Sequence, residues 1–171
     1  MSRTRRGVVW RAVLGAGLAV GLLTACSGTE PFTLGEVVPL ETDTSLEPTL
    51  TVTSVERVGD DEGLTDFGGG ALTGDPWRVS YRIALGDGVR QDFTWDAIPD
   101  VSSGQWTARA GGSDVTASTL TGDAASVCSG TAAPPQEDSV VGDYCQIFVI
   151  PDGEAIDRVE LADVGTWDVS E

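Results

Sequence analysis

The chain has 171 residues, with ten arginines and no lysine or histidine against 27 acids, for a formal net charge of −17. Without histidine there is no Ser-His-Asp or Cys-His catalysis, no HExxH zinc site and no imidazole titrating near neutrality. Without lysine there is no Schiff-base or Walker-lysine chemistry, and a polyanion of this kind repels nucleic acid.

The chain opens on a basic stretch carrying Arg3, Arg5, Arg6 and Arg11, with no acid before Glu30. The 12-residue run Ala12 to Leu23 that follows is rich in Val, Leu, Ala and Gly. A bilayer span needs about 20 residues, so this length suits the apolar core of a signal peptide instead. Leu23-Thr24-Ala25-Cys26 closes the run and reads as a lipobox, which expects residues 1–25 to be removed and Cys26 to be acylated. Thr4-Arg5-Arg6-Gly7-Val8-Val9 resembles a twin-arginine export signal, and both that route and the general pathway stay open.

Removing residues 1–25 leaves six arginines against 27 acids, a formal charge of −21. Resemblance to bacterial lipoproteins implies a diacylglyceryl group on Cys26, and two chains anchor stably where one binds only marginally. Anchorage therefore wins over the repulsion between this acidic domain and anionic headgroups. Residues 26–33 read as a short lipidated tether, and 34–171 as one domain with its own core.

With Cys26 assigned to lipid, Cys128 and Cys145 are left as a pair in an oxidising setting. A disulfide between them is expected to pin the loop at Ser129–Gly142 to the following strand.

From Leu34 onward, short β-branched and aromatic runs are separated by Gly, Asp, Pro and Ser clusters. Gly35–Leu40 and Leu50–Val58 open the domain as strands. In Trp77–Leu85 the residues Trp77, Val79, Tyr81, Ile83 and Leu85 fall on one face, a period of two. Gly86-Asp87-Gly88 then predicts a tight turn, with Val89–Ile98 returning as the second arm of a hairpin. Gln105–Ala110 and Val115–Leu120 flank Gly111-Gly112-Ser113-Asp114 as another hairpin. Tyr144–Ile150 reads as a buried strand bounded by Pro151-Asp152-Gly153, and Ala155–Leu161 and Thr166–Val169 follow. About eight or nine strands at this spacing predict an all-β sandwich.

Thr51-Val52-Thr53-Ser54-Val55-Glu56, then Phe93 with Gly104-Gln105-Trp106, then Tyr144-Cys145-Gln146-Ile147-Phe148-Val149-Ile150-Pro151-Asp152-Gly153 carry a family resemblance. In this order the segments resemble the immunoglobulin-like domain of actinobacterial secreted antigens and lipoproteins, the mycobacterial immunogenic-protein type. The likeness covers Leu34 to Val169 and implies an immunoglobulin-like sandwich at the cell surface. It rests on strand patterns, so no functional residue is carried over. The acidic insertion at Gly59–Pro76 and the disulfide loop depart from the pattern.

Three constellations are candidates for function. Asp60, Asp61, Glu62 and Asp66 gather carboxylates in a glycine-rich loop, hard oxygen ligands that suit Ca2+. Their spacing differs from an EF-hand, and an acidic solvated loop is the commoner form of such a run. Trp106 and Trp167 lack the apolar pattern that assigns Trp77 and Trp95 to the core, which leaves them as partly exposed platforms for a glycan. A pair of acids about 5–9 Å apart would suit glycoside hydrolysis, but sequence does not reveal such a pair. The resulting expectation is a non-catalytic, lipid-anchored protein on the extracytoplasmic face of the cell membrane that needs no cofactor. It would bind an envelope protein or a glycan. The alternatives are a small-ligand carrier and a carboxylate-based carbohydrate-active enzyme.

Overall fold

Alternating β-branched and polar residues form eleven strands among the described residues. In the computed structural model these are residues 30–42, 47–59, 64–66, 69–85, 99–118, 121–122, 128 and 140–169. In chain order the strands are β1 (Phe32–Thr33), β2 (Val38–Pro39), β3 (Thr49–Arg57), β4 (Leu64–Thr65), β5 (Asp75–Ala84) and β6 (Trp106–Ala110). They continue with β7 (Ser113–Thr116), β8 (Thr121–Gly122), β9 (Val140–Ile150), β10 (Ile156–Leu161) and β11 (Gly165–Asp168). The count exceeds the expected eight or nine because four of these strands are only two residues long.

Two larger sheets enclose the core. One has the order β1-β11-β10-β6-β7 and the other β2-β3-β5-β9, while β4 and β8 form a two-stranded ribbon. Leu50, Val52, Val79, Ile83, Phe148 and Ile150 point inward from the four-stranded sheet, each fully buried. Trp106, Ala108, Val159, Leu161 and Trp167 meet them from the five-stranded sheet. Each large apolar side chain buried this way contributes about 1.5–3 kcal/mol.

A row of aromatic rings crosses the core between the sheets. Tyr144 lies 5.6 Å from Tyr81, Tyr81 4.7 Å from Trp106, Trp106 6.1 Å from Trp167, and Trp167 5.6 Å from Phe32, centroid to centroid. These separations fall in the range of favourable tilted and offset ring pairs.

The period-two reading of Trp77–Leu85 holds along β5 and the residue after it: Val79, Tyr81, Ile83 and Leu85 are buried, and Trp77 is half-buried against the same core. The hairpin partner expected for it does not hold. β5 pairs antiparallel with β3 along one edge and with β9 along the other. Both rows of its backbone groups are thus occupied, leaving no edge for a returning Val89–Ile98 arm. That arm, residues 89–98, lies outside the described residues.

The second hairpin is present with a tighter turn than expected, because Ser113 and Asp114 belong to the second arm and not to the turn. β6 and β7 pair from Ala110↔Ser113 to Thr107↔Thr116, joined through Gly111 and Gly112 at φ +55° and +80°. Both positions need the left-handed region, which glycine enters without a Cβ penalty. The expected strand Gly35–Leu40 is reduced to β2, with β1 lying before it. Gly35 turns the chain at φ +85°, so that β1 belongs to the five-stranded sheet and β2 to the four-stranded one. β1 also takes Phe32 and Thr33 out of the expected tether.

Cys128 and Cys145 form a disulfide with Cα atoms 5.4 Å apart, joining the chain at Cys128 to β9. Cys128 packs in a small satellite cluster with Val58, Leu64 and Ile147. Ile147 and Cys145 alternate with the inward-facing Phe148 and Ile150, so the bridge lies on the outer side of the four-stranded sheet.

Candidate functional site

β1 runs parallel to β11, with Phe32 beside Trp167 and Thr33 beside Asp168. The chain therefore reaches β1 from the end of the sandwich where β11 starts, next to the turn Ala162–Val164. At this end Phe32, Val38, Pro39, Leu40, Glu41 and Val164, with Asp163, line a groove of about 340 Å³. Val37, beside the groove, is 61 % exposed and is the one large apolar side chain so exposed among the described residues. The opposite end carries the turn Gly111–Gly112, the turn after Pro151, and Asp75, whose carboxylate accepts the Gly153 N–H at 3.3 Å.

The outer face of the five-stranded sheet is polar. Register places Asp114, Arg109, Arg158 and Asp168 in one row across β7, β6, β10 and β11, and Thr116, Thr107, Glu160 and Thr166 in the next. Thr107, Arg109, Asp114, Arg158, Glu160 and Thr166 line a shallow depression of about 120 Å³. Arg158 gives its Nε–H and a terminal N–H to Asp168 Oδ1, at 2.9 and 2.8 Å. Arg57, Arg78 and Arg82 are likewise paired, with Asp75, Glu56 and Asp143. Among the described residues Arg109 is the arginine without an ion pair, and it stands directly across from Arg158. Like charges opposed across a ladder cost stability, which a polar ligand bridging the row would offset.

The surface pairs shift titration where their geometry is close. The Arg57 guanidinium, with help from the Gly153 N–H, holds the Asp75 carboxyl below its usual range. The backbone N–H of Ser102 does the same for Asp100, and the Asp143 carboxylate raises Arg82. Burial pushes the Tyr81 hydroxyl up to about 12, with the Gln146 hydrogen bond opposing it. Burial also raises Tyr144, reinforced by the Asp143 carboxylate.

The residues singled out in the sequence fall apart in space. Cys26 lies outside the described residues, as do Asp60, Asp61 and Glu62. Asp66 is engaged by its own loop: its Oδ1 accepts the Gly70 N–H at 2.6 Å, and its N–H donates to the Gly70 carbonyl at 3.0 Å. Among the described residues no three metal-ligating side chains converge. Trp106 and Trp167 are both 0 % exposed, which corrects their reading as glycan platforms. They occupy the inward positions of β6 and β11, and neither ring has a free face to offer a sugar.

The outer polar row escaped the sequence reading. Thr107 and Arg109, or Glu160 and Thr166, become neighbours only through cross-strand register. The one available signal was the alternation of Thr, Arg and Glu with apolar residues along β6 and β10.

Comparison of the chain with protein-family models, with curated proteins and with solved structures finds no match.

Proposed function

We propose that the chain is a lipid-anchored envelope protein whose domain presents a binding face to a polar partner without catalysing a reaction. The observation that carries this reading is the start of β1 at Phe32, six residues after Cys26 in the lipobox. An acylated Cys26 would hold the domain within about 20 Å of the bilayer, the reach of six extended residues. The depression over Thr107, Arg109, Arg158, Glu160 and Thr166 is the favoured contact face, with hydrogen-bonding groups for an envelope protein or glycan.

An immunoglobulin-like topology is part of the same proposal. The order β11-β10-β6-β7 follows the G-F-C-C′ sheet of variable-type domains, and β3-β5-β9 follows A-B-E. On this correspondence Trp106 sits where such domains bury a tryptophan on strand C. The Cys128–Cys145 bridge departs from them, since it does not join the two sheets at that tryptophan.

Mass spectrometry of the protein extracted from membranes tests the anchor. A mature chain starting at Cys26 and carrying a diacylglyceryl mass is expected, and a start elsewhere overturns the anchor. Crosslinking on intact cells tests the face. Wild-type protein is expected to recover an envelope component that Arg109→Glu loses, and equal recovery by both removes this face from the proposal.

A further inference from the structure

We propose that the tether end of the sandwich rests in the headgroup layer of the bilayer, with Val37 and Pro39 as its contact points. The inference depends on the lipid anchor proposed above and adds to it an orientation and a second contact. Three observations converge on this end. The chain arrives there, because β1 parallels β11 and is entered from beside Gly165. The most exposed large apolar side chain among the described residues, Val37, directly precedes Val38 of the groove wall there. The 340 Å³ groove walled by Phe32, Val38, Pro39, Leu40 and Val164 opens there too.

Elsewhere an exposed valine beside a shallow groove would be unremarkable. Here the tether changes its weight. A link of about 20 Å gives an effective concentration in the millimolar range, so a contact of only millimolar affinity is substantially occupied. A second weak signal is also what converts marginal membrane binding into stable anchoring.

Charge sets the lipid preference of this contact. Glu36, Glu41 and Asp163 surround the apolar residues and are exposed. Anionic headgroups repel them, whereas zwitterionic headgroups offer an ammonium partner. Seating therefore weakens on anionic membranes at low salt and recovers as salt shortens the screening length to about 10 Å or less.

Hydrogen exchange read by mass spectrometry on the acylated protein in phosphatidylcholine vesicles tests the proposal. Amides of residues 36–41 are expected to exchange about twofold or more slowly than in detergent, while those of residues 111–113 and 152–155 stay unchanged. Adding an equal part of phosphatidylglycerol at low salt is expected to reduce the slowing, and added salt to restore it. Val37→Asp is expected to abolish the slowing with the acyl mass and the thermal midpoint intact. Unchanged exchange at 36–41, or slowing at the opposite end, overturns the seating. The same spectra report acylation. If Cys26 carries no lipid, the anchor reading falls, and a thiol-reactive phospholipid coupled to Cys26 of the mature chain lets the exchange pattern decide the seating on its own.

Discussion

Trp106 donates its indole Nε1–H to the carbonyl oxygen of Val101 at 3.1 Å. Gln146 Nε2 and the Tyr81 hydroxyl donate to the same oxygen at 3.3 and 3.4 Å, and Gln146 also reaches Tyr81 Oη at 3.2 Å. One backbone carbonyl thus gathers the polar ends of three side chains from β6, β5 and β9. Trp167 is as deeply buried, yet its Nε1–H has no hydrogen-bond partner.

That contrast predicts unequal costs for the same substitution. Trp106→Phe loses a hydrogen bond and leaves a cavity, a destabilisation of about 2–3 kcal/mol. Trp167→Phe leaves a similar cavity but removes an unsatisfied buried donor, whose relief offsets part of the loss, for a net cost of about 1 kcal/mol. Urea unfolding of both variants checks this, and equal costs would remove Val101 as the distinguishing contact.

These tryptophans also show where the sequence is legible. The longest strands announce themselves: Val79, Tyr81 and Ile83 alternate with polar residues over enough positions to set a face, and β5 buries them. Trp106 alternates with Ala108 and Ala110, whose small side chains give β6 little apolar signal although both are buried. Trp167 stands on the four-residue β11 between Thr166 and Asp168, too short for a period to register. Strand partners are harder still. Proximity in sequence suggested a hairpin for β5, whereas its edges are held by β3 and by β9, which is distant along the chain. The outer polar row depends on the same long-range register.

The stability profile against pH follows from the absence of histidine and lysine. Tyr81 titrates at about 12 in the fold against about 10 unfolded, so the native state binds more protons between those values. Its contribution is complete below about pH 10 and is lost as pH rises toward 12, an alkaline loss of about 2–3 kcal/mol. Asp75 and Asp100 act on the other side: their lowered values make contributions that are present above about pH 4 and are lost as pH falls through the native values. Denaturant midpoints measured across pH are expected to be level from about 6 to 9 and to fall on the alkaline side. Tyr81→Phe is expected to lower the plateau and flatten the alkaline limb. A limb of unchanged steepness would assign the loss elsewhere.

The Cys128–Cys145 bridge spans 17 residues of sequence. Closing a loop of that length removes enough unfolded-state entropy to contribute about 3 kcal/mol. Cys128→Ser with Cys145→Ser is expected to lower stability by that amount, and wild-type protein in reductant to behave alike. Because Cys128 packs with Val58, Leu64 and Ile147, amide exchange near Val58 should quicken before the central strands open. A loss spread evenly over β3, β5 and β9 would contradict a bridge that fastens only the outer side of its sheet.

Gly165 begins β11 and lies under the ring of Phe32, the first residue of β1. A Cβ built at Gly165 would stand 2.5 Å from Phe32 Cε2. Gly165→Ala therefore forces the ring, and β1 with it, away from Trp167, at a cost of about 1–3 kcal/mol. Phe32→Ala removes the obstacle while losing its own packing against Trp167. The double variant is expected to be more stable than the sum of the two single losses, with a coupling of about 1 kcal/mol or more, as for residues in direct contact. Additive losses would show that the ring moves aside without loss. In Gly165→Ala alone, exchange at Thr33 and Trp167 should quicken while β3 and β5 stay protected. Such a pattern would identify the pairing of β1 with β11 as the joint of the five-stranded sheet that yields first.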